Sequence, residues 1–188
     1  MTRLALEPEL AAARAHAGAA LTVLEAANAA ARRAIDPGLA RSLERRVREL
    51  LGAGVEAPSS ASPPTVREQA CFEFADQFVA YVPGITAGQR DAVAAQLGQP
   101  RLLELARMLY VFDMTSRLRL SLGHLFEPAH LFGPVEGAGE DGPAPVEERE
   151  LGAAIDDLHA AAMQLSSLDP VTTELVRLHC ARYHDCKT

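Results

Sequence analysis

The sequence predicts an all-α fold, and three observations support this prediction. Apolar residues recur at steps of three and four along much of the chain, which is the spacing of one face of a helix. Helix-start signals precede several of these segments, either an Asp-Pro pair or a Thr with Glu or Gln three residues later. No segment alternates apolar and polar residues with a period of two over a useful length, as a half-buried strand would.

Two helices are predicted in the first part of the chain. The first spans residues 8–33, which are rich in Ala. Asp36 and Pro37 open the second, because Asp is a good N-cap and Pro is tolerated at the first helical position. Gly52 ends that helix, and a Pro- and Ser-rich linker follows over residues 52–64. The predicted core positions are Leu10, Ala13, Ala17, Leu21, Leu24, Ala27 and Ala31, then Leu39, Leu43, Val47, Leu50 and Leu51.

Three further helices are predicted in the middle of the chain. Thr65 with Glu68, and Thr86 with Gln89, have the spacing of a capping box, and Pro100 opens the longest of the three. The predicted bounds are 65–81, 86–97 and 100–122. The predicted core positions are Cys71, Phe74, Ala75, Phe78 and Val82 in the first of these helices, and Leu102, Leu105, Leu109, Phe112, Met114 and Leu118 in the third.

The last third of the chain holds a linker and two more helices. The Gly- and Pro-rich segment 123–146 is predicted to be irregular, and residues 128–146 are assigned as an interdomain linker. A sixth helix is predicted over 147–165. A seventh begins at Pro170, with Asp169 as its N-cap.

Composition restricts the class of protein. The 188 residues carry a net charge of −7, which disfavours general nucleic-acid binding. No uncharged apolar run reaches the roughly 18 residues of a membrane span, and Glu7, Glu9 and Arg14 interrupt any signal-peptide core. The 3 cysteines do not form an even disulfide framework. We therefore expect a cytoplasmic protein with no nucleic-acid or membrane partner.

The C-terminal segment has the residues best suited to chemistry. Glu174 lies one turn into the seventh helix, and Cys186 follows 12 residues later. Asp185 is placed to cap another helix, with Cys186 in its first turn. The positive end of that helix dipole would lower the pKa of the Cys186 thiol.

The segment "ELVRLHCARYHDC", from Glu174 to Cys186, resembles the alkylhydroperoxidase D-like, or carboxymuconolactone decarboxylase, family. The thiol-peroxidase members of that family place a Glu 12 residues before a C-x-x-C pair, with a His one turn beyond. The resemblance implies that Cys186 is the resolving thiol and that Glu174 belongs to a proton relay. His184 is a candidate member of this relay because it precedes the capping Asp185. It implies no cofactor and no metal. The implied partners are a peroxide, a thiol or disulfide electron donor and further copies of the chain.

The sequence ends at Thr188, before the second cysteine and the later histidine would fall. We therefore expect a chain truncated within its active site and inactive as it stands, with the peroxidase activity belonging to the complete protein.

Asp36-Pro37 and Asp169-Pro170 are 133 residues apart and each follow an Ala-rich helix, which indicates an internal repeat. The predicted domains are a degenerate first repeat over 1–127 and the beginning of a second over 147–188.

Other interpretations remain open at this point. Glu174 is equally typical of a solvated helix surface, Cys186 of an unreactive thiol near the chain end, and His184 of a surface histidine. The protein could instead be a lyase of the decarboxylase branch, or a non-catalytic helical oligomerisation module.

The spacing of His179, His184 and Cys186 does not fit common zinc sites. Arginines 41, 45, 46 and 48 alternate with Glu44 and Glu49, which indicates a salt-bridged surface.

Overall fold

A computed structural model describes residues 8–52, 63–125, 150–165 and 169–183. These residues form seven α-helices and one short 3-10 helix (Val82–Gly84), with no strand among them, so the all-α prediction is confirmed. The predicted linkers fall largely outside the described residues. The helices are α1 (Pro8–Ala34), α2 (Pro37–Leu50), α3 (Val66–Tyr81), α4 (Ala87–Leu97), α5 (Gln99–Leu125), α6 (Leu151–Met163) and α7 (Pro170–Tyr183).

The two Asp-Pro signals start helices in the same way. The Asp36 carboxylate accepts hydrogen bonds from the backbone N–H groups of residues 38 and 39, each at 3.0 Å. The Asp169 carboxylate accepts from those of residues 171 and 172, again at 3.0 Å. Both caps are followed by proline and by a helix of 14 residues. The local signal in the sequence therefore fixes both helix starts.

The two predicted capping boxes are also present. In α3, Glu68 N–H donates to the Thr65 hydroxyl at 3.2 Å, and Thr65 N–H donates to the Glu68 carboxylate at 2.9 Å. Thr86 and Gln89 exchange the same pair of bonds at the start of α4. Gly98 has a φ of +86° between α4 and α5, a left-handed conformation that glycine adopts without steric cost.

Helix α5 is the central element of the described fold. It packs against α1, α2, α3, α4 and α6, and α1 also packs against α2 and α6. The core is built around the buried side chains of α5, and the adjoining helices contribute further apolar groups, among them Leu43 of α2 and Phe74 of α3. The largest of these core side chains are Phe112, Leu43, Leu105, Met108, Leu109, Val47, Val93, Val111 and Cys71.

Several core positions and helix bounds differ from the sequence prediction. Met108 and Val111 are fully buried although both lie outside the predicted stripe, because helices cover α5 on several sides. Val82 was predicted as core but is 50% exposed, since it belongs to the 3-10 helix after α3.

Helix α5 continues to Leu125 and α6 begins at Leu151, so the predicted bounds of 122 and 147 were wrong. Helix α1 is kinked at Ala17.

Two bidentate ion pairs join the first three helices. The Arg32 guanidinium on α1 donates to both carboxylate oxygens of Glu44 on α2, at 2.9 and 2.6 Å. The Arg46 guanidinium on α2 donates to both oxygens of Asp76 on α3, at 2.8 Å each. Arg45 contacts Glu49 at 3.5 Å. This face of α2 is therefore salt-bridged, as the sequence predicted.

Helices α5 and α6 approach closely at Gly152. A Cβ atom at this position would lie 3.3 Å from the Cζ atom of Arg107 on α5. Leu151, Ala154, Ile155 and Leu158 are buried on the same helix. The small residue lets the Arg107 guanidinium lie against the backbone of α6 while the apolar residues enter the core.

Helix α7 is peripheral to this arrangement. It packs against none of the other described helices to an extent comparable with the pairs named above. Four of its apolar side chains are largely exposed, namely Val171, Leu175, Val176 and Leu178. The segment that the sequence singled out for chemistry therefore lies outside the described core.

Candidate functional site

The described cysteine, Cys71, is a core residue. Its side chain is 0% exposed in α3, and burial raises the pKa of the thiol to about 11. The nearby Arg67 guanidinium lowers this pKa and the Glu68 carboxylate raises it, but desolvation is the largest cause. At neutral pH Cys71 is therefore a protonated thiol without access to solvent, which excludes it as a reactive nucleophile in the folded chain.

Glu174 lies on the exposed surface of α7. The cap of this helix is well formed, since Asp169 also accepts a hydrogen bond from the Thr172 hydroxyl at 2.5 Å. This bond and those from the Thr172 and Val171 backbone N–H groups lower the pKa of Asp169. The structure thus places the predicted relay carboxylate one turn into a capped helix, where it is accessible.

The other two predicted site residues, Cys186 and His184, lie outside the described residues, as does the side chain of Cys180. The distance from the Glu174 carboxylate to the Cys186 sulfur therefore stays a prediction. The position of Glu174 can nevertheless be compared with a packed helix of this chain.

The internal repeat predicted from the sequence, with its offset of 133 residues, would pair α7 with α2. Leu43 corresponds to Val176; Leu43 is fully buried under its neighbours, whereas Val176 is 53% exposed. Glu174 corresponds to Arg41, which is exposed although α2 is packed against three helices. A side chain at this position therefore remains accessible when the apolar face of such a helix is covered. A Glu174 carboxylate would keep its contact with solvent in the same way.

The structure brings together one pair of polar side chains that the sequence did not predict. The Tyr110 hydroxyl on α5 lies 2.9 Å from His159 Nε2 on α6, and the two rings meet edge to face with centroids 5.8 Å apart. Both residues are exposed. They are 49 residues apart, so only the packing of α6 on α5 brings them together. No local sequence signal could have indicated this pair.

Neither a metal-ligand cluster nor a membrane-spanning helix is found among the described residues. No group of three or more His, Cys, Asp or Glu side chains within them is placed to bind a metal ion. Among the helices of that part of the chain, none has a long enough apolar stretch to cross a bilayer.

Comparison with known proteins gives two relatives. Both are uncharacterized proteins of Mycobacterium tuberculosis, one from strain CDC 1551 / Oshkosh and one from strain H37Rv. Each is 30% identical over 164 residues, which cover 82% of this chain and 55% of the relative. The chain thus spans about half the length of the curated relatives it matches. No family model and no solved structure matches it.

Proposed function

We propose that this chain belongs to a thiol-dependent peroxidase in which Cys186 is the resolving thiol and Glu174 takes part in proton transfer. The proposal rests on the 12-residue spacing of Glu174 and Cys186 and on the resemblance of the segment between them to the alkylhydroperoxidase D-like family. The accessible position of Glu174 on a capped helix supports it. The burial of Cys71 supports it as well, because this leaves the C-terminal segment to supply the reactive sulfur.

The proposed reaction has three steps. In the complete protein, a second thiolate attacks the peroxide; an S–O bond forms, the O–O bond breaks, and an alcohol leaves with one proton. The Cys186 thiolate then attacks the resulting sulfenic acid, so that an S–S bond forms and water leaves. An external dithiol returns two electrons and reopens the disulfide. In each of the first two steps, Glu174 accepts the proton of the attacking thiol. It then returns this proton to the departing oxygen, which leaves as an alcohol in the first step and as water in the second.

Turnover of the complete protein tests the assignment, with an organic hydroperoxide as oxidant and a small dithiol as donor. We expect Cys186→Ser to abolish disulfide formation and to leave a sulfenic acid that dimedone traps. We expect Glu174→Gln to lower the rate by about 100-fold or more, as loss of a general base does. Glu73→Gln, at an exposed carboxylate of α3, and Cys71→Ser serve as matched controls.

Two results would contradict the proposal. One is wild-type turnover in both Cys186→Ser and Glu174→Gln. The other is a coding sequence that continues past Thr188 without a cysteine directly after it and a histidine about one turn later. Equal losses in Glu73→Gln and Glu174→Gln would also count against a specific role for Glu174.

A second candidate function is self-association through α7, with a second copy of the chain as the partner. The observation that favours it is the exposure of Val171 and Leu175, which are 68% and 61% accessible. Met163 at the end of α6 is also exposed, at 80%. Burial of such side chains drives association, and soluble oligomers are most often homodimers.

The molar mass of the chain in solution tests this second function. We expect a dimer that Leu175→Asp converts to a monomer without changing the helical content. Leu103→Asp is the matched control, because Leu103 is 55% exposed on α5. A wild-type monomer at concentrations of about 100 μM would exclude a dimer of the affinity expected for a standard interface.

A further inference from the structure

Three arginines line one surface cavity of about 480 Å³ at the junction of five elements. Arg33 comes from the last turn of α1, Arg67 from the first turn of α3 and Arg101 from the first turn of α5. Asp36 lies at the same cavity, where it caps α2. The lining residues therefore carry a net charge of +2, in a chain whose net charge is −7.

The charges of these arginines are not consumed by ion pairs. Within the described part of the chain, neither Arg33 nor Arg67 has a carboxylate oxygen within 4.0 Å. Arg101 donates to the Ala34 carbonyl oxygen at 2.6 Å, which holds its guanidinium at the end of α1 without neutralising it. This differs from Arg32 and Arg46 nearby, each of which has a bidentate carboxylate partner.

The Asp36 carboxylate compensates only part of this charge. Hydrogen bonds from the Leu39 and Gly38 backbone N–H groups hold its pKa below the ordinary value, and the fields of Arg67 and Arg41 lower it further. Its Oδ1 atom is thus already engaged in the α2 cap. Three guanidinium groups against one carboxylate give the wall of the cavity a net positive charge, which favours an anionic ligand.

The cavity also has an apolar side. Ile35, which is 5% exposed, and the half-buried Leu97 line it together with the arginines. Its volume lies within the range of roughly 300–1,000 Å³ typical of small-molecule sites. A ligand with one anionic end and a small apolar body would fit both features.

We propose that this cavity binds a small phosphate monoester, with the phosphate between Arg33, Arg67 and Arg101 and the organic group against Ile35 and Leu97. A phosphate monoester carries a charge of about −1.5 to −2 at pH 7, which matches the +2 of the lining residues. Arginine also presents donors in a fork that suits phosphate oxygens. Glu174 is not among the residues that line this cavity.

Calorimetric titration of the full chain with phenyl phosphate tests the site, with inorganic phosphate and sulfate as separate arms. We expect phenyl phosphate to bind more tightly than either inorganic ion, because its ring reaches the apolar wall. Its affinity should fall as the pH drops below about 6, where the dianion takes up a proton, whereas sulfate binding should not follow this titration. Vesicles with and without phosphatidic acid test whether a lipid headgroup is the natural source of the ester.

Charge variants give opposite expected signs. Arg33→Gln and Arg67→Gln should each weaken phenyl phosphate binding by about tenfold or more, the usual effect of losing a charge-assisted hydrogen bond. Asp36→Asn should tighten binding by about fivefold, because a repelling charge is removed while an equally good N-cap remains. Arg48→Gln on α2 is the charge-matched control, since Arg48 does not line the cavity.

Three results would overturn the proposal. The first is no detectable binding of phenyl phosphate by the wild-type chain at millimolar concentration. The second is equal loss in Arg48→Gln and in the cavity variants, which would indicate a general charge effect. The third is weaker binding in Asp36→Asn. Because Arg33 and Arg67 make no hydrogen bond that supports the fold within the described residues, their variants should keep the wild-type circular dichroism spectrum.

Discussion

At the level of single residues, the state of the Cys71 thiol can be tested against the reactivity proposed for Cys186. The buried thiol of Cys71, with its pKa raised to about 11, should resist iodoacetamide in the folded chain and react only after unfolding. We expect alkylation of native protein, followed by peptide mass mapping, to label Cys186 at least tenfold faster than Cys71. Complete unfolding should remove most of this difference. Equal native rates would contradict both the burial of Cys71 and the lowered pKa expected for Cys186.

The two capping boxes differ in one titratable group. Hydrogen bonds from the Thr65 backbone N–H and hydroxyl lower the pKa of Glu68 below its ordinary value of 4.5, whereas the equivalent residue in α4 is the neutral Gln89. A carboxylate whose pKa is lowered by folding stabilises the fold above the unfolded-state pKa. This contribution is lost as the pH falls through the lower folded-state value.

We therefore predict that Glu68→Gln removes a pH-dependent part of the stability and keeps the box. The melting temperature of the wild type should exceed that of the variant at pH 7, and the difference should shrink as the pH falls from about 5 toward 3. Thermal unfolding followed by circular dichroism at several pH values measures this. Glu73→Gln, on the same helix but outside the cap, is the control. A difference that grew on acidification would contradict the assigned direction of the pKa shift.

At the scale of elements, the helix starts that carry a capping signal were far more predictable than the neighbours against which each helix packs. The caps at Asp36, Thr65, Thr86 and Asp169 form within four residues of each start, so the sequence around them contains the whole interaction. The central position of α5 depends on which helices cover it, and this is a tertiary property. The apolar face predicted for α5 from the sequence therefore did not include Met108 and Val111.

Only the local part of the candidate site has a structural counterpart. The cap of α7 at Asp169 forms as the sequence predicted, whereas the approach of Glu174 to Cys186 stays a prediction. The Tyr110–His159 pair and the cavity of Arg33, Arg67 and Arg101 join residues that are far apart along the chain. Only the packing of the helices creates them, so a single sequence carries no direct sign of either.

Helices α6 and α7 should contribute very differently to stability. Three large apolar side chains of α6 are buried, Leu151, Ile155 and Leu158, each worth about 1.5–3 kcal/mol, whereas α7 leaves Val171, Leu175, Val176 and Leu178 exposed. Ending the chain after Leu165 should therefore change the melting temperature by less than about 2 °C in a monomer. Ending it after Leu125 should lower the melting temperature strongly or prevent folding. Equal losses from the two truncations would show that α7 packs on the core.

At the scale of the whole molecule, one helix joins most of the others. Phe112 on α5 is 1% exposed within that core, and its truncation to Ala should cost about 3–5 kcal/mol of unfolding free energy. Val176→Ala on α7 should cost less than about 0.5 kcal/mol, because Val176 is already exposed. Urea unfolding of both variants at the same protein concentration compares them. Similar losses would contradict the central role of α5.

The pairing of α1 with α5 and α6 has a consequence for synthesis on the ribosome. Residues of α1 that end up against α6 emerge well before residues 151–163 do. At translation rates of about 5–20 residues per second, this delay is on the order of 6–23 s. During that interval α1, which buries Leu21 and Leu24 in the finished fold, lacks its neighbour α6.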